Sequence, residues 1–279
     1  MTPPDARFQE IDGIRCYAPA LALDYADYPS DGFDVTAAVE QRSFWCRTRN
    51  RILHIILNRF AERGRRLEML EIGCGTGTVL SSLRQRPDLH LTGSEIYLNG
   101  LRHARRRLPD VDFIQLDATD IPFRDAYDVI GAFDVLEHID ADEVVMRQAR
   151  AALRPGGLFV ITVPQYQWMW SQLDELVHHK RRYSRDEMLT KLANAGFDVV
   201  HSTSFVSMLF PLMALRRLRD RSRAVSADAR ADFESQVTLP GPLNTVFDWV
   251  MRIDETVLRL GLSLPFGGSL LVVARRPLV

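Results

Sequence analysis

The chain has 279 residues, 46% hydrophobic and 25% charged, with a formal net charge of −1. That composition is globular, long enough for one large domain or a domain with an added subdomain, and it excludes an intrinsically disordered chain. It also excludes a whole-molecule field that gathers nucleic acid, since the basic clusters are local.

The first 37 residues are rich in Pro, Asp and Tyr, show little periodicity and read as an extended arm. They begin polar and acidic, unlike a signal peptide. Val39–Phe60 reads as a helix, with Phe44, Trp45, Ile52, Leu53, Ile56, Leu57 and Phe60 at mixed three and four spacings and Gly64 closing it. Strand–loop–helix units then begin. Leu67–Ile72 is a strand, Thr78–Arg86 a helix closed by Pro87, Leu89–Ser94 a strand, Leu98–Leu108 a basic helix and Val111–Leu116 a strand. Tyr127–Phe133 is a strand, Ala141–Leu153 a helix and Leu158–Val163 a strand. Ser184–Ala195 is a helix capped by Ser184, with Glu187 completing a capping box. Phe197–Ser202 is a sixth strand. This alternation calls for an α/β, Rossmann-like fold, a mostly parallel sheet with helices on both faces.

Phe205–Arg223 starts apolar and ends basic. Its apolar part is the longest such run and falls short of the ~20 residues that span a bilayer. Ser222–Gln236 reads as a polar loop, Leu243–Leu260 as an amphipathic helix and Ser269–Ala274 as a last strand. The expected organisation is an arm and cap helix over 1–66, a cofactor-binding core over 67–204, a helical insertion over 205–268 and a final core strand over 269–279. Cys16, Cys46 and Cys74 form no CxxC pair, so neither a disulfide framework nor a structural zinc site is expected. The expected compartment is the cytoplasm.

The chemistry concentrates at Leu70-Glu71-Ile72-Gly73-Cys74-Gly75-Thr76-Gly77, where the first core strand meets its helix. Glycines there let the backbone approach a ligand, and a helix N-terminus offers free N–H groups. A dinucleotide fold spaces them G-x-G-x-x-G; here they run G-x-G-x-G, with an acid two residues before the first. Glu71 would repel a pyrophosphate but suits the ammonium group of a methionine moiety. Glu95 ends the next strand, about 20 residues on, where an acid accepts hydrogen bonds from ribose hydroxyls. Ile96 beside it is placed to pack on an adenine face. Asp117 follows the third strand and is placed to accept from the adenine amino group. Solvated strand-end acids are common, but three at successive strand ends beside such a loop point to one ligand.

LEIGCGTG, GSEIY, LDATDIPF, YDVIGAFDVLEHI and LRPGGLFVITVP resemble the successive motifs of the class I S-adenosylmethionine-dependent methyltransferases over about residues 67–202. DVLEHI is similar to the ubiquinone-biosynthesis O-methyltransferase branch. The flanking FWCRTRN, HHKRRY and LPFGGS pieces resemble a less characterised bacterial group. The resemblance implies a seven-stranded sheet with an antiparallel last strand. It implies S-adenosyl-L-methionine contacts at Glu71, Gly73, Cys74, Gly75, Gly77, Glu95, Ile96, Asp117 and Ala118 and around Phe133–Asp134. Many members carry Asp where Glu95 stands.

A sulfonium donor leaves the protein to align the acceptor, exclude water and remove a proton. His138, at the rim after the fourth strand, is the first base candidate, against the plain reading of a packed helix-start histidine. His178 and His179 come second. Tyr166, Trp170, Arg182 and Tyr183 are the substrate-binding candidates. Packing competes for the aromatics, and a solvated charge run for Arg181 and Arg182. Trp45, Arg47 and Arg49 lie on a helix placed either to close over the cofactor or simply to pack on the sheet. A metal at Glu137, His138 and a further histidine is conceivable, but spacing alone does not support one and none is assigned.

The expected activity is methyl transfer to an oxygen of a small molecule, such as a secondary metabolite, a quinone-like compound or a sugar- or lipid-linked acceptor. The competing readings are a catalytically silent cofactor-binding partner subunit and an NAD-dependent oxidoreductase. For the 205–268 insertion a cap or homodimer contact is preferred over a helix lying on an anionic membrane. No nucleic-acid partner is expected.

Overall fold

The computed structural model describes residues 7–23, 33, 37, 40, 42–220 and 240–278. The Ser222–Gln236 segment, Arg221, Arg223 and most of 24–41 lie outside them. Nine strands form one sheet in the order β1-β2-β5-β4-β3-β6-β7-β9-β8. Their ranges are β1 Gln9–Ile11, β2 Ile14–Cys16, β3 Leu67–Ile72, β4 Leu89–Glu95, β5 Asp112–Gln115, β6 Tyr127–Phe133, β7 Leu153–Pro164, β8 Asp198–Phe205 and β9 Ser269–Arg275.

Seven of these strands are the sheet that the resemblance implies. The central strands pair in parallel, and β9 runs antiparallel to both β7 and β8. The expected extended arm takes a defined form at its start. Ile11-Asp12-Gly13-Ile14 is a two-residue hairpin with both turn residues at positive φ, 53° and 71°. Asp-Gly favours the type I′ turn whose twist matches that of the strands. The hairpin lays β2 in parallel on β5, and the Gln115 side chain donates to the Ala18 and Ile96 carbonyls.

The helices are α1 Phe44–Phe60, α2 Thr78–Leu83, α3 Leu98–Arg107, α4 Asp142–Ala152, α5 Gln172–Leu176, α6 Arg185–Asn194, α7 Phe210–Asp220 and α8 Gly241–Arg259. On α1 the residues Ile52, Leu53, Ile56 and Leu57 are buried. Fully burying each such side chain contributes about 1.5–3 kcal/mol. Ser184 caps α6 by accepting from the Glu187 N–H at 3.1 Å. Within the apolar run after residue 205, Phe205 closes β8, and the helix starts only at Phe210. From the insertion, α8 packs on α1: the Phe44 and Phe247 rings meet edge to face, and Arg51 pairs with Asp248 and Glu255. No helix among the described residues is long and apolar enough to cross a membrane.

From β3 the chain builds outward through β4 to β5, then crosses back to place β6 on the other flank of β3. This reversal opens a crevice at the carboxyl ends of β3 and β6, where open α/β sheets take their ligands.

Candidate active site

Residues 73–77 leave β3 at that crevice. Gly73, Gly75 and Gly77 all have positive φ, at 65°, 51° and 80°. At Gly73 a second constraint applies, because an added Cβ would sit 2.5 Å from Val135 Cγ2. The loop therefore lies directly against the chain leaving β6. Cys74 is buried, and its N–H donates to the Ser94 carbonyl at 2.8 Å. Thr76 and Thr78 donate their hydroxyls to Glu40, a partner that nothing in the sequence pattern identified.

Glu71 is 3% exposed, and its Oε2 has no hydrogen-bond partner. Burial pushes its pKa up to about 8; the Arg49 guanidinium opposes the rise, while the Glu40 and Glu95 carboxylates add to it. A buried carboxyl oxygen without a donor is costly unless something supplies one. The ammonium end of a methionine moiety would supply that donor and match the buried carboxylate.

Glu95 is bonded to the backbone around it. Its Oε2 accepts from the Gly75 N–H at 3.1 Å, and its Oε1 accepts from the Ile96 and Tyr97 N–H groups at 2.8 and 3.4 Å. The carboxylate thus holds the glycine loop and opens α3, and each oxygen keeps acceptor capacity for a ligand hydroxyl. Ile96 is half-buried beside it and Ala118 is buried. Asp117 Oδ1 accepts from both the N–H and the hydroxyl of Thr119 at 2.8 Å.

Of the Phe133–Asp134 pair, only Asp134 is at the crevice. The Phe133 side chain turns into the core, filling the space above Gly131, where a Cβ would lie 2.4 Å from its ring. Asp134 has φ 59° and accepts from Arg49 at 2.9 Å and from Thr162 at 2.8 Å. Arg49 itself is buried, and its Nε lacks a partner.

The second rim forms after β6. His138 ends a 3-10 turn, Leu136–His138, and its ring meets that of His179 edge to face at 4.7 Å. Burial, then the neighbouring His179 and His178, push the His138 pKa down to about 3. His179 Nδ1 lies 2.8 Å from Asp174 Oδ1. His178 is carried at φ 57° in the same turn. Tyr166 has φ 66° and stacks with Trp168, with Phe210 of α7 packed on both rings. Trp170 is half-buried, with its Nε1 3.4 Å from Glu175.

Two substrate-binding expectations are corrected. Arg182 is spent internally, gripping Asp174 through Nε at 2.7 Å and through its terminal nitrogen at 2.9 Å. Tyr183 is fully buried, and its hydroxyl donates to Asp142 and the Leu136 carbonyl at 2.8 and 3.1 Å. Neither side chain has a free polar edge for an acceptor. A separate cleft of about 520 Å³, lined by His54, Asn58, Arg63 and Arg86 among others, lies at the amino ends of the strands, away from this chemistry.

The family described as a methyltransferase domain matches residues 40–202. A probable S-adenosylmethionine-dependent methyltransferase of Mycolicibacterium smegmatis is 26% identical over 177 residues, 61% of this chain and 66% of that protein. Another, of Mycobacterium tuberculosis, is 28% identical over 148 residues, 51% of this chain and 53% of that protein. The chain thus spans about half to two thirds of the length of these curated relatives. Among solved structures, the phosphoethanolamine N-methyltransferase 2 of Haemonchus contortus in complex with S-adenosyl-L-methionine aligns with a TM-score of 0.59 at 16% identity. That alignment covers 91% of this chain and 59% of that one, and it shows a shared fold.

Proposed function

The chain belongs to the methyltransferase-domain family, and on that footing we propose that it moves a methyl group from S-adenosyl-L-methionine to an oxygen of a small-molecule acceptor. The cofactor supplies a sulfonium methyl already activated for in-line attack. Everything else falls to the protein. Glu71 takes the ammonium group with its unpartnered oxygen, and Arg49, with its unpartnered Nε, faces the methionyl carboxylate. Gly73, Gly75 and Gly77 let the backbone close on the ligand. Glu95 accepts from the ribose hydroxyls, Ile96 and Ala118 flank the adenine, and Asp117 accepts from its amino group. Cys74 and Asp134 line the floor.

The acceptor belongs between the second rim and the aromatic wall of Tyr166, Trp168 and Trp170, which excludes water. His179, with its Nδ1 2.8 Å from Asp174 and the His138 ring packed edge-on against it, presents an imidazole lone pair where a proton must leave. That provision favours an oxygen acceptor, because a hydroxyl must shed its proton whereas a neutral amine attacks without prior deprotonation. Alignment is the larger contribution, worth ~7–11 kcal/mol in well-oriented cases.

The observation that carries this reading is the buried, donor-less Glu71 oxygen beside three left-handed glycines at the sheet's reversal point. Calorimetry with S-adenosylhomocysteine, together with a labelled-methyl transfer screen over phenolic, carboxylic and sugar hydroxyl acceptors, tests it. Tight binding that Glu71→Gln weakens, with label appearing on an oxygen, is the expected result. Binding without transfer to any acceptor would instead mark a silent cofactor-binding subunit.

A further inference from the structure

Six apolar residues run along α8 to its C-cap: Leu243, Val246, Val250, Ile253, Val257 and Leu260. They recur at alternating intervals of three and four, the 3.5-residue repeat of a helix-pairing seam, held for about 26 Å. This is not the face that α8 turns to its own molecule. The inward face carries Phe247, Met251, Asp254, Glu255 and Leu258. Its acids are matched there, Glu255 by Arg51 at 2.7 Å and Asp254 by the Ser207 N–H at 2.7 Å. Those bonds fix the rotation of the helix and leave the seam outside. Leu243, Val246, Ile253 and Leu260 are 40–73% exposed, and Val250 and Val257 are half-buried.

Among the described residues, most of the large apolar side chains that face solvent lie between Met208 and Phe266. On α7, Leu212, Leu215 and Leu218 share their side of the helix with the exposed Arg216 and Arg219. The α8 seam carries no charge, and the positions beside it, Trp249 and Thr256, are neutral; Arg252 and Arg259 stand further round the helix. A helix lying in lipid shows a wider apolar face rimmed with Lys and Arg, whereas a narrow seam of this spacing fits a helix partner. Charges beside such a seam set partner choice, and neutral ones let a helix meet its own copy without repulsion.

The geometry points to a second copy of this chain as the occupant, the two α8 helices lying antiparallel about a two-fold axis midway between Val250 and Ile253. That register sets Leu243 against the partner's Leu260, Val246 against the partner's Val257 and Val250 against the partner's Ile253. Each layer joins side chains of like size, because Leu-Val-Val-Ile-Val-Leu reads nearly the same from either end. Antiparallel alignment also brings opposite ends of the two helix dipoles together. The seam and Trp249 present on the order of 500 Å² of apolar surface, so two such faces bury the ~1,000 Å² that marks a specific interface. The inference stands apart from the methyl-transfer reading.

Sedimentation of the full-length protein across the micromolar range tests it. The expected result is a dimer of twice the 31.8 kDa chain mass. Ile253→Glu is expected to raise the dissociation constant by about 100-fold or more, since it buries a charge at two symmetric positions. Circular dichroism and S-adenosylhomocysteine affinity should stay unchanged, and Val246→Glu on the same seam serves where Ile253→Glu fails to fold. Oxidation of a mixture of Leu243→Cys and Leu260→Cys proteins should give a cross-linked pair that neither gives alone; the three native cysteines are buried. A monomer throughout that range overturns the proposal, as does a dimer that both folded glutamate variants leave intact. Cross-linking of Leu243→Cys by itself overturns the antiparallel register. A monomer that pellets with phosphatidylglycerol–phosphatidylcholine vesicles, and ceases to do so in Ile253→Glu, gives the face to lipid instead.

Discussion

Arg49 of the first helix ion-pairs with Asp134 at the end of β6, at 2.9 Å, with both side chains largely withdrawn from solvent. The pair latches α1 across the crevice directly behind Glu71, and Arg49 also lies over the Trp45 ring at 4.8 Å. A helix that the sequence left undecided between lid and packing element is thereby fastened to the end of β6.

Breaking that latch on one side strands a charge. Arg49→Met is expected to cost about 3 kcal/mol in urea unfolding, the low end for a buried pair. Arg49→Met combined with Asp134→Asn should recover most of that loss, because no charge is then left alone. A double variant as unstable as the single one would show that the guanidinium acts through packing instead.

On the proposed reading, Glu71→Gln removes a charge-assisted bond to the ligand while leaving the shape intact. The expected loss in S-adenosylhomocysteine affinity is about 10–100-fold, from the ~1.5–3 kcal/mol typical of hydrogen bonds to charged groups. The melting temperature of the ligand-free protein should hold or rise at neutral pH, since an ionisable group leaves a buried position. Calorimetry and thermal unfolding read the two effects separately.

The same residue predicts a proton. The Glu71 pKa in the folded chain, about 8, lies above its ordinary value of 4.5. The folded state therefore holds a proton that the unfolded chain has released. Its contribution to stability is whole below about pH 4.5 and is lost as pH rises through about 8. An ammonium ligand reverses the preference and expels the proton, so binding at pH 7 should show a heat that varies with the ionisation enthalpy of the buffer. Affinity should climb from pH 6 towards pH 8. Glu71→Gln should erase the buffer dependence.

Gly73→Ala meets two obstacles at once, the left-handed φ and the Val135 side chain. A loss of about 1–3 kcal/mol from backbone strain alone is expected, together with loss of cofactor binding. Adding Val135→Ala relieves the collision but not the φ, so the double variant should regain only part of the affinity. Full recovery would assign the whole effect to the collision.

Tyr183→Phe separates structure from recognition. Deleting the hydroxyl leaves the Asp142 and Leu136 acceptors short of a donor, at a cost of about 1–3 kcal/mol. Once an acceptor is in hand, its KM should not move. A raised KM at unchanged stability would return Tyr183 to the acceptor site.

The loop proposed to hold the cofactor was legible as a structural unit because its determinants are local. An acid, a glycine run and the next strand's terminal acid sit at fixed offsets from strand ends, and parallel pairing brings those ends together. The acceptor side was not, because its side chains find their partners across loops. Arg182 and Tyr183 are neighbours in a motif rich in charge and aromatic character, and nothing in that pattern tells that one grips Asp174 and the other Asp142. The histidine cluster was visible only as residue types; its closeness comes from the Lys180 backbone bond to Glu137. The hairpin at Asp12–Gly13 did carry a readable dipeptide between two isoleucines, hidden by the irregular arm around it.

That hairpin has a consequence for how the protein behaves in concentrated solution. Without β2, the outer side of β5 would present unpaired backbone groups beside the apolar Phe113 and Ile114, an open template for another chain's strand. Arg102 clamps the turn by pairing with Asp12, and Arg105 donates to the Asp12 carbonyl, so the covering ribbon is pinned by charges. Loss of the first sixteen residues should therefore show as self-association, seen by light scattering, before it shows as any change in cofactor affinity.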